Sequence, residues 1–147
     1  MIVLKIDSVK EYMTGLFQGN MFDHFQIRNC EVRTFTNFTC DGINYEEWYD
    51  TDDKNEQDSV YWKQIKPIIF SLIKGKKTPL RLSIEFFHVL QTGDVGAIRI
   101  QYEHDELLVY TGYMQKEFSL DRSSQELWDE KCEEFLHKNE IVSTRLD

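Results

Sequence analysis

The chain has 147 residues, a net charge of −9, and a composition that is 41% hydrophobic and 14% aromatic. A domain of that length buries roughly 68–70% of its unfolded surface, so one core can form without disulfide or metal staples. The aromatic content excludes a disordered chain, and no apolar run approaches the ~18 residues of a membrane-spanning helix.

The opening MIVLKIDSVKE reaches its first acid after six residues, too soon for a secretory signal. Three cysteines, Cys30, Cys40 and Cys132, are an odd number. Reduced thiols in a cytoplasmic protein are the simplest account.

Residues Ile2 to Ile6 read as a short buried strand. Asp7 is placed to cap the helix that follows, whose apolar stripe is Val9, Tyr12, Met13, Leu16 and Phe17. Gly19-Asn20 ends it. Phe25 and Ile27 alternate, and a phase change at Arg28-Asn29 predicts a turn or bulge. Cys30, Val32, Thr34, Thr36, Phe38 and Cys40 then hold one phase, which predicts a single eleven-residue strand. Asp41-Gly42 is a two-residue hairpin signal, with Ile43 to Tyr49 as the returning strand. Asp50 to Asp58 reads as a solvated acidic loop.

Trp62, Ile65, Ile69, Leu72 and Ile73 recur at helical spacing up to Gly75. Pro67 lies inside that pattern, which predicts a kink or a helix beginning at Pro67. Leu80 to Phe86 alternates, and Ile98 to Tyr102 and Leu107 to Thr111 make a hairpin about His104-Asp105. A short strand is predicted over Lys116 to Leu120. Ser123 and Glu126 have the spacing of a capping box, opening a helix with the stripe Trp128, Cys132, Phe135 and Leu136. The order is strand, helix, three strands, helix, three or four strands, helix. The fold class is α+β, with a mainly antiparallel sheet, two packed helices and a C-terminal helix. One domain is expected over 1–147, divided into an α+β core (1–121) and a C-terminal helix and tail (122–147).

Charge is segregated along the chain. Asp41 to Asp58 holds eight acids and one lysine, whereas Ser59 to Ile84 holds six bases and no acid. Asp121 to Glu140 is acidic again, with seven acids against three bases. A globally acidic chain is a poor general binder of nucleic acid, but binding follows the local field. Lys63, Lys66, Lys74, Lys76, Lys77 and Arg81 are therefore the candidate polyanion-binding residues, alternatively explained by pairing with the acids of 41–58.

Motifs that carry chemistry are missing. Cys30 and Cys40 lie ten apart, which fits no zinc spacing. Asp50, Asp52 and Glu56 imitate a calcium loop, but Lys54 stands where a ligand belongs. Lys74-Gly75-Lys76-Lys77-Thr78 follows a helix rather than preceding one, so it is not a P-loop. Neither a metal nor a cofactor is implied. Asp23-His24 is the one acid–imidazole pairing, and His88, His104 and His137 each have ordinary surface roles.

The stretches MIVLKIDSVKEYM, FDHF, FTCDG, WKQIKPIIFSLIKGKKTPL and LWDEKCEEFLHKNEI resemble a family of uncharacterised proteins from gut Firmicutes, a domain of unknown function. That resemblance covers most of the chain and implies no activity. The order of elements is also similar to a single domain of the sliding DNA clamps, rings of six such domains whose basic helices face DNA. It implies that Lys63, Lys66 and Lys74 would lie on the DNA-facing side of the second helix. Lys10 on the first helix is offset by Glu11. The leading reading is a non-catalytic binding or interaction domain, with a protein partner or self-association. The alternatives are a clamp-like protein that binds nucleic acid weakly through the basic strip, and a small hydrolase-type enzyme using Asp23 and His24.

Overall fold

The computed structural model describes residues 1–50, 58–73, 75 and 77–147. Among them are seven strands: β1 (Val3–Ile6), β2 (Gln26–Arg33), β3 (Asn37–Cys40), β4 (Arg81–Val89), β5 (Val95–Glu103), β6 (Glu106–Met114) and β7 (Ser143–Arg145). They form one sheet in the order β3-β2-β4-β5-β6-β1-β7, antiparallel at every step. Helices α1 (Val9–Phe17), α2 (Trp62–Ile73) and α3 (Ser123–Lys138) complete an α+β architecture. None of these helices is long and apolar enough to cross a membrane.

Alternation along the strands explains the layering. Ile84, Phe86, Ile98, Ile100, Leu107 and Val109 are each at most 2% exposed, so one face of the sheet is dry. Burying each such side chain stabilises the fold by about 1.5–3 kcal/mol. The helices meet on that face around Phe86. Phe22, from the turn after α1, stacks on Phe86 with ring centroids 4.3 Å apart. Trp62 of α2 meets Phe86 edge-on at 5.6 Å, and Phe135 of α3 meets Phe22 at 5.4 Å. The interleaved residues on the opposite face form a charged ladder, in which Arg81 bridges Glu31 at 2.7 Å and Glu103 at 2.6 Å.

Several expectations hold. The β5–β6 turn is His104-Asp105, both with positive φ (54° and 61°), as a two-residue hairpin requires. The register of β2 on β4 shifts between Ile27 and Asn29, which is the expected irregularity at Arg28. Trp128, Cys132 and Leu136 form the buried stripe of α3.

Others are corrected. The single strand expected from Cys30 to Cys40 is a hairpin of β2 and β3, turning over residues 34–36, where the Thr34 N–H donates to the Thr36 carbonyl. Ile43 to Tyr49 does not return as a strand. Ile43 makes one isolated bridge to Ser59, and Glu46–Trp48 is a short 3-10 turn. Asp41 causes this, because its carboxylate accepts from the Ile43 N–H and the Tyr45 hydroxyl, folding the chain on itself. Gly42 (φ 74°) then passes so close to β2 that a Cβ would sit 2.2 Å from the Ile27 carbonyl oxygen.

Helix α2 starts at Trp62 and runs through Pro67. Proline removes the donor for the carbonyl of exposed Lys63, where water can replace it. The start is held by the Gln64 side chain, which accepts from the Tyr61 N–H, and by the buried Trp62 indole, which donates to the Leu16 carbonyl. Ser8 rather than Asp7 precedes α1. Asp7 instead accepts from the Thr144 hydroxyl, and the Ser8 hydroxyl accepts from the Val142 N–H, tying β1 to the C-terminal segment. No capping box forms at α3, because Ser123 is already helical and the Asp121 carboxylate accepts its N–H. Lys116 to Leu120 is a loop rather than a strand, its start fixed where the Lys116 N–H donates to Asp94. Strand β7 was not expected; its residues, Ser-Thr-Arg, carry no apolar alternation. The acidic loop lies largely outside the described residues, which resume at Asp58.

Candidate functional site

A cleft of about 720 Å³ lies between α1, the end of α2 and the sheet, with mostly apolar walls. Helix α1 supplies two ridges by its periodicity. Val9, Met13 and Phe17 form an apolar ridge, and Lys10, Thr14 and Gln18, one residue on, form a polar one along the mouth. Phe70 and Ile73 of α2 make the opposite wall. Phe17 stacks on Phe70 at 5.5 Å, so the two walls touch at that point. The floor is Leu82 and Tyr102, directly paired between β4 and β5. Lys77, Thr78, Pro79 and Asp105 complete the rim.

Polarity is concentrated at one corner. The Tyr102 hydroxyl donates to Asp105 at 3.1 Å. Burial of the ring raises the Tyr102 hydroxyl above its usual range, Thr78 pulls it back, and Asp105 raises it again. The hydroxyl is therefore a neutral donor at physiological pH. Among the described residues, the cleft lining contains no histidine and no cysteine.

The six basic residues singled out in the sequence do not share one surface. Lys63 is exposed on α2. Lys66 is folded inward, donating to Asp23 at 2.7 Å and to the Gly19 carbonyl at 2.8 Å. Arg81 lies on the opposite side of the sheet in its bridges to Glu31 and Glu103. Lys77 reaches the cleft rim, while Lys74 and Lys76 lie outside the described residues. Asp23 is committed to Lys66, and His24 is exposed in the turn before β2. Asp23 and His24 both lie in that turn. Burial pushes the Cys30 and Cys132 thiols up to about 12, so neither is activated toward a substrate arriving from solution. No group of three or more potential metal ligands occurs among the described residues.

The sequence matches a described family of unknown function, DUF5721, over residues 15–95 and 89–143. The chain belongs to the DUF5721 family. Within those stretches fall Phe17, the α2 wall of Phe70 and Ile73, Leu82, Tyr102 and Asp105, whereas Val9, Lys10, Met13 and Thr14 precede them. No curated protein and no solved structure matches the chain.

The sequence reading missed the cleft because its walls look like core. Val9, Met13 and Phe17 share one stripe with fully buried Tyr12 and Leu16. The only available signal was the parallel line Lys10, Thr14, Gln18, polar residues beside a stripe at the same spacing.

Proposed function

We propose that this DUF5721 protein is a non-catalytic binding domain whose site is the cleft between α1 and α2. The observation that carries the reading is the combination of volume and lining. Ligand sites are mainly apolar concavities of ~300–1,000 Å³ with a few convergent polar groups, and this cleft has apolar walls, about 720 Å³, and Tyr102, Thr78 and Asp105 at one corner. Among the described residues, its lining offers no nucleophile–base pair of the kind that acyl or phosphoryl chemistry needs. Support also comes from the partial exposure of Met13, Phe70 and Ile73, large apolar groups that a ligand would cover.

Titration with anilinonaphthalene sulfonate, an apolar fluorescent sulfonate, tests the reading. The intact protein is expected to bind one dye saturably, and Met13→Trp, which fills the cleft, to weaken binding at least about tenfold. Thr39→Trp, on the far edge strand, is the control and is expected to leave binding unchanged. Equal binding by all three proteins, or none by the intact one, would remove the cleft as the site.

A further inference from the structure

In the β2–β3 hairpin, Cys30 and Cys40 stand directly opposite each other in register. Directly opposed residues of an antiparallel pair have Cα atoms ~4.5 Å or ~5.5 Å apart, according to whether they are hydrogen-bonded. Both separations lie within the ~4.4–6.8 Å that a disulfide spans. Opposed side chains also leave the sheet on the same side. Cys30 is buried in the core on that side, and Cys40 is half-buried against the same core. Both are free thiols.

We propose that Cys30 and Cys40 are a reversible oxidation site, closed into an intramolecular disulfide by exchange with a small disulfide such as oxidised glutathione. Cys40 is the more accessible of the two and reacts first. Its thiolate attacks one glutathione sulfur, the S–S bond of the reagent breaks, and one glutathione leaves as thiolate. Cys30 then attacks the Cys40 sulfur of the mixed disulfide and expels the second glutathione. Two protein thiols are oxidised, one glutathione disulfide is reduced, and the two protons lost by the cysteines end on the released glutathione thiols.

The product fixes β3, a four-residue edge strand, covalently to β2. Short edge strands are held by few ladder bonds and are the part of a sheet most open to slippage or pairing with another chain. Oxidation would therefore lock the register of this edge. Cys132 is the internal reference, since it is buried in α3 and has a raised pKa through burial and Asp129, not through another cysteine.

The reduced chain is incubated with oxidised glutathione, denatured, alkylated with iodoacetamide and mapped by mass spectrometry. Two of the three thiols are expected to be lost, with one peptide link joining Cys30 to Cys40 and alkylation confined to Cys132. Cys132→Ser is expected to form the same link, and Cys40→Ser to leave Cys30 alkylated. Three alkylated thiols, a glutathione adduct that persists on Cys40 without a link, or a link through Cys132 would each overturn the proposal.

Discussion

The two ends of the helical layer are packed by opposite means. At the α3 end the sheet presents small residues, and the helix comes down onto them. A Cβ added at Gly96 would lie 2.5 Å from the Trp128 ring, and the indole N–H donates to the Ala97 carbonyl at 3.1 Å. Beside it, buried Thr111 accepts from the Ile2 N–H at 2.9 Å and donates to Asp129 at 2.6 Å. At the other end, the sheet presents Leu82 and Tyr102, and the helices close over them only where Phe17 meets Phe70. One end resembles a protein interior, dense and without room; the other keeps a wettable apolar hollow. Helix approach is set by the residue that lies beneath the helix, not by the helix's own stripe, which is apolar in both cases.

That contrast can be broken most forcefully at Trp128. Trp128→Ala removes the ring and its hydrogen bond, and should cost about 3–5 kcal/mol in denaturant unfolding; a loss below ~1 kcal/mol would mean that this end is not tightly packed. Gly96→Ala attacks the same contact from the sheet and is expected to cost about 1–3 kcal/mol by overpacking. A third effect lies in the loop leading to α3. Asp94 accepts from the Lys116 N–H and the Tyr113 hydroxyl, and these bonds hold its carboxyl below the usual range. A depressed folded-state pKa contributes stability that is present above the unfolded value near ~3.9 and lost as pH falls through the lower folded value. Hydrogen exchange at Lys116, corrected for its intrinsic pH dependence, should therefore lose protection below that range, and Asp94→Asn should remove the step. The smallest effect belongs to the cleft: Thr14→Trp at its mouth should change stability by no more than about 0.5 kcal/mol, measured by the same unfolding. A larger loss would show that the mouth is part of the core.

How much of this was legible in the sequence depended on parity. Across the β5–β6 turn of two residues, Ile98, Ile100 and Tyr102 face the core from even positions and Leu107, Val109 and Thr111 from odd ones. The flip marks the turn. Across the β2–β3 turn of three residues, Cys30 pairs with Cys40 and Val32 with Phe38, so even positions face the core on both sides. Period-2 alternation passes through such a hairpin unchanged, and Thr34-Phe35-Thr36 has no glycine, proline or asparagine to mark it. The hairpin was invisible for that reason. Strand β7 was invisible for another, being held by backbone bonds to β1 and by polar contacts such as Thr144 to Asp7 rather than by an apolar face. At the candidate site, the residue types could be read but the hollow could not. It arises from the spacing between two helices, which neither stripe encodes.

The place of β1 in the sheet sets an order of events during synthesis. It lies between β6 and β7, pairing Val3 with Tyr110 and Leu4 with Arg145. At ~5–20 residues per second, β1 waits on the order of ten seconds after leaving the ribosome for β6, the earlier of its two partners. Through that interval Ile2, Leu4 and Ile6, all buried in the finished fold, have no sheet to join. The β4–β5–β6 meander can assemble from local contacts as soon as it emerges. β1 is then laid against β6 out of chain order, and β7 can close the edge beside it only after α3 has been made.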